Sequence, residues 1–151
     1  MDLILIEKRR QPSDDREFWF LFEYSNEFNS DWWNSHDLRV GAWAFLEIRD
    51  GDIEVARIHL RAEVPIGHYA GTPQLGAAAL GIQFIEVAES RRGQGIGTKA
   101  VQMLVERYPG RRLVAFSEAD RFWASLGWRR YDHSDGADRF QAVFIQPELG
   151  A

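Results

Sequence analysis

The stretch "ESRRGQGIGTKAVQML" (residues 89–104) places glycines at 93, 95 and 97 behind two arginines and directly ahead of an apolar helical pattern. Glycine inside a helix is roughly 0.5–1 kcal/mol worse than alanine, so three of them at a helix start need a reason. A helix N-terminus with uncovered backbone N–H groups is a binding site for phosphate. The apolar pattern that follows makes this the start of a helix, and a phosphate-bearing ligand the first expectation.

The 151 residues are enough for one domain with a real core, and 45% hydrophobic with 27% charged residues is the balance of an ordinary globular chain. The formal net charge of −5 argues against nucleic acid as the main partner. The absence of cysteine excludes disulfides and thiolate metal sites. No stretch approaches the ~20 apolar residues that cross a bilayer. The opening "MDLILIEKRR" reads as a first strand and not as a signal peptide. These features make a cytoplasmic protein, without a membrane partner, the expectation.

Along the chain, Leu3–Lys8 reads as a strand. "REFWFLFEYSNEF" (16–28) fits the helix and strand templates about equally. "SDWWNSHDLR" reads as a short capped helix or a loop. "AWAFLEIRDGDIEVARIHL" is two apolar runs around Asp50-Gly51-Asp52, a β-hairpin. "AEVPIGHYAGTPQLG" is a Gly- and Pro-rich loop, and "AALGIQFIEVA" (78–88) is a strand apolar enough to be buried on both faces. After the glycines, Val101, Leu104, Val105 and Tyr108 recur at helical spacing until Pro109-Gly110 stops the helix. "RRLVAFS" (111–117) is a strand, Glu118–Leu126 a short helix stopped by Gly127, and "WRRYD" and "FQAVFIQ" further strands. There are no repeats and no linker, so residues 1–151 read as a single domain.

Three phosphate-loop patterns compete for the glycines. A dinucleotide fingerprint, G-x-G-x-x-G, needs glycine at 98, where Thr98 stands, and a tight turn where "AESRR" intervenes; Glu118 about 20 residues on is its one support. A Walker loop needs G-x-x-x-x-G-K-[ST], which "GIGTK" does not supply. The third pattern is R-x-x-G-x-G, read as Arg92, Gly95 and Gly97. "FIEVAESRRGQGIGTKAVQML" resembles the acyl-CoA-binding motif of the GNAT N-acetyltransferase superfamily, and "EADRFWASLGWRRY" resembles that family's A-x-x-F-Y-x-x-x-G-F segment. The resemblance covers about residues 43–131, with both motifs in order and about 25 residues apart.

The resemblance implies an α+β acyl-CoA N-acyltransferase fold, a central, mostly antiparallel sheet flanked by helices. It implies acetyl-CoA as cofactor, bound by Val87, Arg92, Gly93, Gln94, Gly95, Ile96, Gly97, Thr98 and Trp123, and a small-molecule or peptide amine as acceptor. A homodimer is compatible with it. The strand ending at Val87 splays from its neighbour in this family, so that the Val87 amide faces the thioester and the pantetheine arm pairs with the strand. The alternative reading is a non-catalytic acyl-CoA-binding or interaction module of the same fold.

For chemistry, Glu86 stands beside Val87 in an otherwise apolar strand, where a carboxylate can serve as proton acceptor; the bland reading is a strand-end glutamate reaching solvent. Gln83, on the opposite face, could position water or the acceptor. Where the family motif has a tyrosine acid, this chain has Trp123, whose indole N–H can donate but has no accessible acidic proton. Tyr131 or Ser117 is then the candidate acid, or the thiolate leaves unaided, its thiol having a pKa of about 8.5. The histidines at 36, 59, 68 and 133 show no ligand spacing and read as surface or satisfied core. The N-terminal third carries Asp14, Asp15, Glu17, Glu23, Glu27, Asp31 and Asp37 among aromatics such as Phe18, Phe20 and Phe22. An acidic, aromatic-lined mouth there would favour a cationic amine.

Overall fold

The computed structural model describes residues 1–8, 22–33, 42–116 and 119–148. The strands are β1 (Leu3–Lys8), β2 (Ala42–Asp50), β3 (Ile53–Arg61), β4 (Ala79–Val87), β5 (Arg112–Phe116), β6 (Arg129–Tyr131) and β7 (Val143–Ile145). The helices are α1 (Ser30–Trp33), α2 (Ile96–Arg107) and α3 (Asp120–Ser125). All seven strands form one sheet in the order β1-β2-β3-β4-β5-β7-β6, antiparallel except for β4 against β5. This is the expected α+β arrangement. The β2–β3 hairpin turns at Gly51, whose φ of +61° suits glycine.

The period-2 alternation of the strands sorts their side chains onto two layers. On one side Ile96, Ala100, Val101 and Leu104 of α2 and Trp123 of α3 pack on Leu46, Ile48, Ile58, Leu60, Leu80, Ile82, Leu113 and Phe144. The other side carries two smaller clusters. Phe22, Phe28 and Trp33 cover Phe45, and Val64, Ile66, Tyr69 and Leu75 of the Gly- and Pro-rich loop cover Val114, Tyr131, Val143 and Ile145. Arg57, buried to 2% exposure, ties the first cluster down. Its guanidinium lies over Phe28 at 4.2 Å and Phe22 at 4.6 Å, donates to Glu23 O at 2.8 Å and pairs with Glu54.

Strand β4 breaks the alternation. Leu80 and Ile82 face the helical layer, but so do Ile85 and Val87, so the phase slips by one residue between them. The register against β3 shows why: His59 pairs with Phe84 and Leu60 with Ile82, leaving Gln83 as an extra residue, a β-bulge. Pairing with β5 runs only from Ala79 to Ile82. Beyond the bulge β4 stays on β3 and parts from β5, and residues 83–87 are half-buried instead of buried on both faces as their composition suggested.

His59 also departs from expectation. It is 3% exposed and stacked on Phe45 at 4.5 Å, with Phe84 at 6.0 Å, yet neither ring nitrogen has a hydrogen-bond partner. Burial, and then the Arg61 charge, lower its pKa to about 4. The unfolded chain therefore binds the extra proton between about pH 6.5 and 4. His59's contribution to stability is complete above that window and is lost as pH falls through it, by roughly 3 kcal/mol. His59→Phe keeps the stacking and removes the unpaired nitrogens, so urea unfolding should show equal or greater stability at pH 7 and a weaker loss towards pH 4. A variant less stable at pH 7 by more than about 1 kcal/mol would contradict this account of the site.

Candidate active site

A cleft of about 930 Å³ opens where β4 leaves β5. Its walls are Ile82–Val87 of β4, Phe116 of β5, the turn and first residues of α2 from Arg91 to Thr98 (Gln94 excepted), and Ala119, Phe122 and Trp123 around α3; Trp32 and Gln141 stand at its rim. Arg92, Gly93, Gly95, Ile96, Gly97, Thr98, Val87, Glu86 and Trp123 thus share one cavity. Gln94 is exposed and does not line it. Tyr131 is elsewhere: it is buried on β6, at the far edge of the sheet, among Val143 and Ile145. Val143 stands between it and Phe116, and Tyr131 does not line the cleft. Ser117, Glu118, His36 and the aromatics at 18–20 lie outside the described residues.

The glycine turn is built for close approach. Gly95 caps α2 with φ +79°, and Gly93 has the same φ; a Cβ on either would project into open space. These are left-handed positions that side-chain-bearing residues adopt only under strain. Gly97 serves packing: a Cβ there would meet Phe122 at 3.3 Å and Val87 at 3.8 Å. The result is the N-terminus of a twelve-residue helix, with its first N–H groups and positive dipole end turned to the cleft.

The opposite wall is an open strand edge. Ala88 N–H donates to Val55 O at 2.8 Å, and hydrogen-bonded positions alternate along an antiparallel ladder. Glu86 and Phe84 therefore bond to β3, whereas Ile85 and Val87 turn their N–H and C=O towards the edge that β5 has vacated. The Val87 carbonyl accepts from Arg92 Nε at 3.1 Å on that edge. A ligand in the cleft meets free strand amides on one side and a helix N-terminus on the other.

The two arginines separate in role. Arg91 pairs with Asp50 at the hairpin end, holding that carboxyl below its usual range, while Arg92, 54% exposed, reaches over β4. Glu86 is not in apolar surroundings, as its neighbours in sequence suggested. Its Oε1 accepts from Asn29 N–H at 2.9 Å and Trp33 Nε1–H at 2.8 Å, and its Oε2 from Arg92 Nη2 at 3.2 Å. Segment 22–33 is clasped a second time by Glu27, whose carboxylate accepts from the Ser90 N–H and hydroxyl, which hold its carboxyl below the usual range. Trp32, 38% exposed, then stacks on Phe84 at 5.2 Å over the rim. Of the aromatics expected at an acceptor mouth, Phe18 and Phe20 lie outside the described residues and Phe22 is buried in the core, while Trp32 and Phe84 line the cleft. The acidic half of that mouth rests mainly on Asp14, Asp15, Glu17 and Asp37, outside the described residues, and Glu86 is the one carboxylate among the described lining.

Trp123 is fully buried between Phe122 and Trp128, both at 4.8 Å, and its Nε1 has no partner. Among the described residues no cluster of His, Cys, Asp or Glu could hold a metal ion, and no helix is long and apolar enough to cross a membrane.

The comparisons with known proteins bear on this cleft. No curated protein matches the sequence. Among solved structures, an acetyltransferase from Thermus thermophilus aligns with a TM-score of 0.55 at 16% identity; 70% of this chain covers 64% of that one, so the match leaves about a third of the longer protein unaccounted for. A GNAT family acetyltransferase from Brucella melitensis in complex with acetyl-CoA aligns at 0.55 and 14% identity, over 99% of this chain and 90% of that one. AtaT complexed with acetyl-methionyl-tRNAfMet aligns at 0.59 and 13%, over 97% and 95%. At such identities these show the fold. The model of the acetyltransferase (GNAT) family matches residues 13–128, which include the glycine turn, the bulged strand and α3. The chain belongs to the acetyltransferase (GNAT) family.

Proposed function

We propose that residues 1–151 act as one N-acetyltransferase domain that moves an acetyl group from acetyl-CoA to the amine of a small molecule or peptide. The observation that carries this reading is the pairing of a splayed strand edge with a glycine-capped helix N-terminus across one cleft. The two surfaces suit the two ends of one ligand. The α2 N-terminus, with Gly93 and Gly95 bare and Arg92 adjacent, suits a diphosphate. The Ile85 and Val87 edge suits an extended amide-bearing arm that adds to the sheet. When bound, acetyl-CoA supplies an acetyl thioester, whose C–S bond is exchanged for a C–N bond as the electron pair leaves on sulfur.

The chain's own groups divide the work. The Val87 N–H, fixed by the ladder and facing the cleft, donates to the acyl oxygen where negative charge develops. Glu86 accepts the proton that the amine gives up, its carboxylate aimed by Asn29 and Trp33. Trp123 closes the cleft's inner end and excludes water. Its N–H is buried and is not an acid, so the thiolate leaves unaided. Trp32 and Phe84 form the acceptor-side wall. A net charge of −5 offers no broad basic field for nucleic acid, and a cytoplasmic setting goes with the use of acetyl-CoA.

The direct test incubates the protein with acetyl-CoA and a panel of amines and follows both thiol release and acetylated amine. Amine-dependent thiol release is expected; CoA binding without transfer to any amine would favour a binding module. Gly95→Glu should abolish CoA binding while the fold survives, because it adds an anion at the helix N-terminus. Gly95→Ala should cost about 1–2 kcal/mol in stability for its positive φ. Unchanged CoA affinity in folded Gly95→Glu, by calorimetry, would contradict the cofactor assignment. Trp123→Phe should slow transfer by no more than about tenfold, or ~1.4 kcal/mol. A thousandfold loss with CoA binding intact would show that the indole N–H is required.

A further inference from the structure

Arg92 spends two of its five donors on β4, Nε on Val87 O and Nη2 on Glu86 Oε2. It does so from a largely exposed position, whereas the Glu86 side chain is only 10% exposed. The two oxygens of Glu86 are held differently. Oε1 is fixed by a backbone N–H of segment 22–33 and by the indole of Trp33, which is 3% exposed and packed edge-on against Phe22 and Phe84. Among the described residues Oε2 is held only by the arginine that borders the α2 N-terminus. An anion seated at that N-terminus competes for the same guanidinium, and a diphosphate offers it more charge than a single carboxylate does.

We propose that Arg92 is a shared latch: it covers Glu86 Oε2 in the free protein, and a diphosphate at the glycine turn draws it away and uncovers that oxygen for the amine. Trp33 and Asn29 are positioning residues that keep Oε1 fixed, so the carboxylate stays aimed when its cation departs. The proton acceptor is therefore presented only when the cofactor is in place. This rests on the reading of the glycine turn as the CoA site and of Glu86 as proton acceptor.

Calorimetry with CoA at low ionic strength tests the latch, using Glu86→Gln, Arg92→Ala and the double variant. Gln keeps an acceptor for Asn29 and Trp33 but no charge for Arg92. Removing this competitor should tighten CoA binding about two- to fivefold, the range set by a partly exposed ion pair. In the Arg92→Ala background the same change should gain no more than about 1.5-fold, because the coupled partner is gone. A Glu86→Gln protein that binds CoA no better, or one whose gain persists in full without Arg92, overturns the proposal. If the unchanged protein does not bind CoA, the underlying reading falls and the latch with it. Trp33→Phe keeps the ring packing and removes the donor. It should leave CoA affinity within about twofold while lowering kcat at saturating acetyl-CoA by about fivefold or more. Loss of CoA affinity in step with kcat would show that Trp33 merely supports the turn, and would overturn its positioning role.

Discussion

One extra residue in one strand governs this molecule. Gln83 bulges β4 out of register with β3, and from that point β4 no longer pairs with β5. A parallel pair that ran on to Val87 would have left no cleft, since its ladder would have consumed the N–H and C=O groups of Ile85 and Val87. The bulge also changes which residues face the helical layer, so that Ile85 and Val87 meet α2 and α3 while Phe84 and Glu86 turn to the opposite side. Strand edge, helix N-terminus and the Trp32–Phe84 wall meet because of that single slip.

The cost of the opening is met by the layers on either side. On the helical side Trp123, Trp128 and Leu104 pack without exposure above a few per cent. Among the described residues the other side is covered by segment 22–33 and the 62–76 loop. Arg57 and Glu86 fasten the first piece, one through Glu23 O and stacked phenylalanines, the other through Asn29 and Trp33. Glu86 thus ties β4 and the nearby Arg92 to a segment more than fifty positions earlier in the sequence. Its two oxygens have different partners, Oε1 the segment 22–33 and Oε2 Arg92.

Much of this was legible in the sequence where local chemistry decides. Strand β1 falls on Leu3–Lys8 as read, the hairpin turns at Asp50-Gly51-Asp52, and α2 starts behind Gly95 and ends before Pro109. These boundaries depend on turn residues and caps, which act within a few positions. The glycine turn was legible for the same reason. The bulge was not, because "GIQFIE" is apolar on both phases and a one-residue slip leaves no mark in composition. Nor were the partners of Glu86: Asn29 and Trp33 lie 57 and 53 positions away and are brought in by packing of the Phe22 cluster. Tyr131 stood as a candidate acid in place of the motif's tyrosine, yet β6, at the far edge of the sheet, carries it, and it does not line the cleft. Trp32 and Gln141 gave no signal beyond a tryptophan pair and an ordinary polar residue.

The central claim is that the β4 edge facing the cleft, and not the edge facing β3, receives the cofactor. Residue-resolved amide hydrogen exchange, with and without acetyl-CoA, tests it by parity. In the free protein the amides of Phe84 and Glu86 should be protected by β3 and those of Ile85 and Val87 should exchange faster. With acetyl-CoA, Ile85 and Val87 should gain protection while Phe84 and Glu86 change little. Binding that leaves Ile85 and Val87 unprotected, or that protects all four alike, would contradict the account.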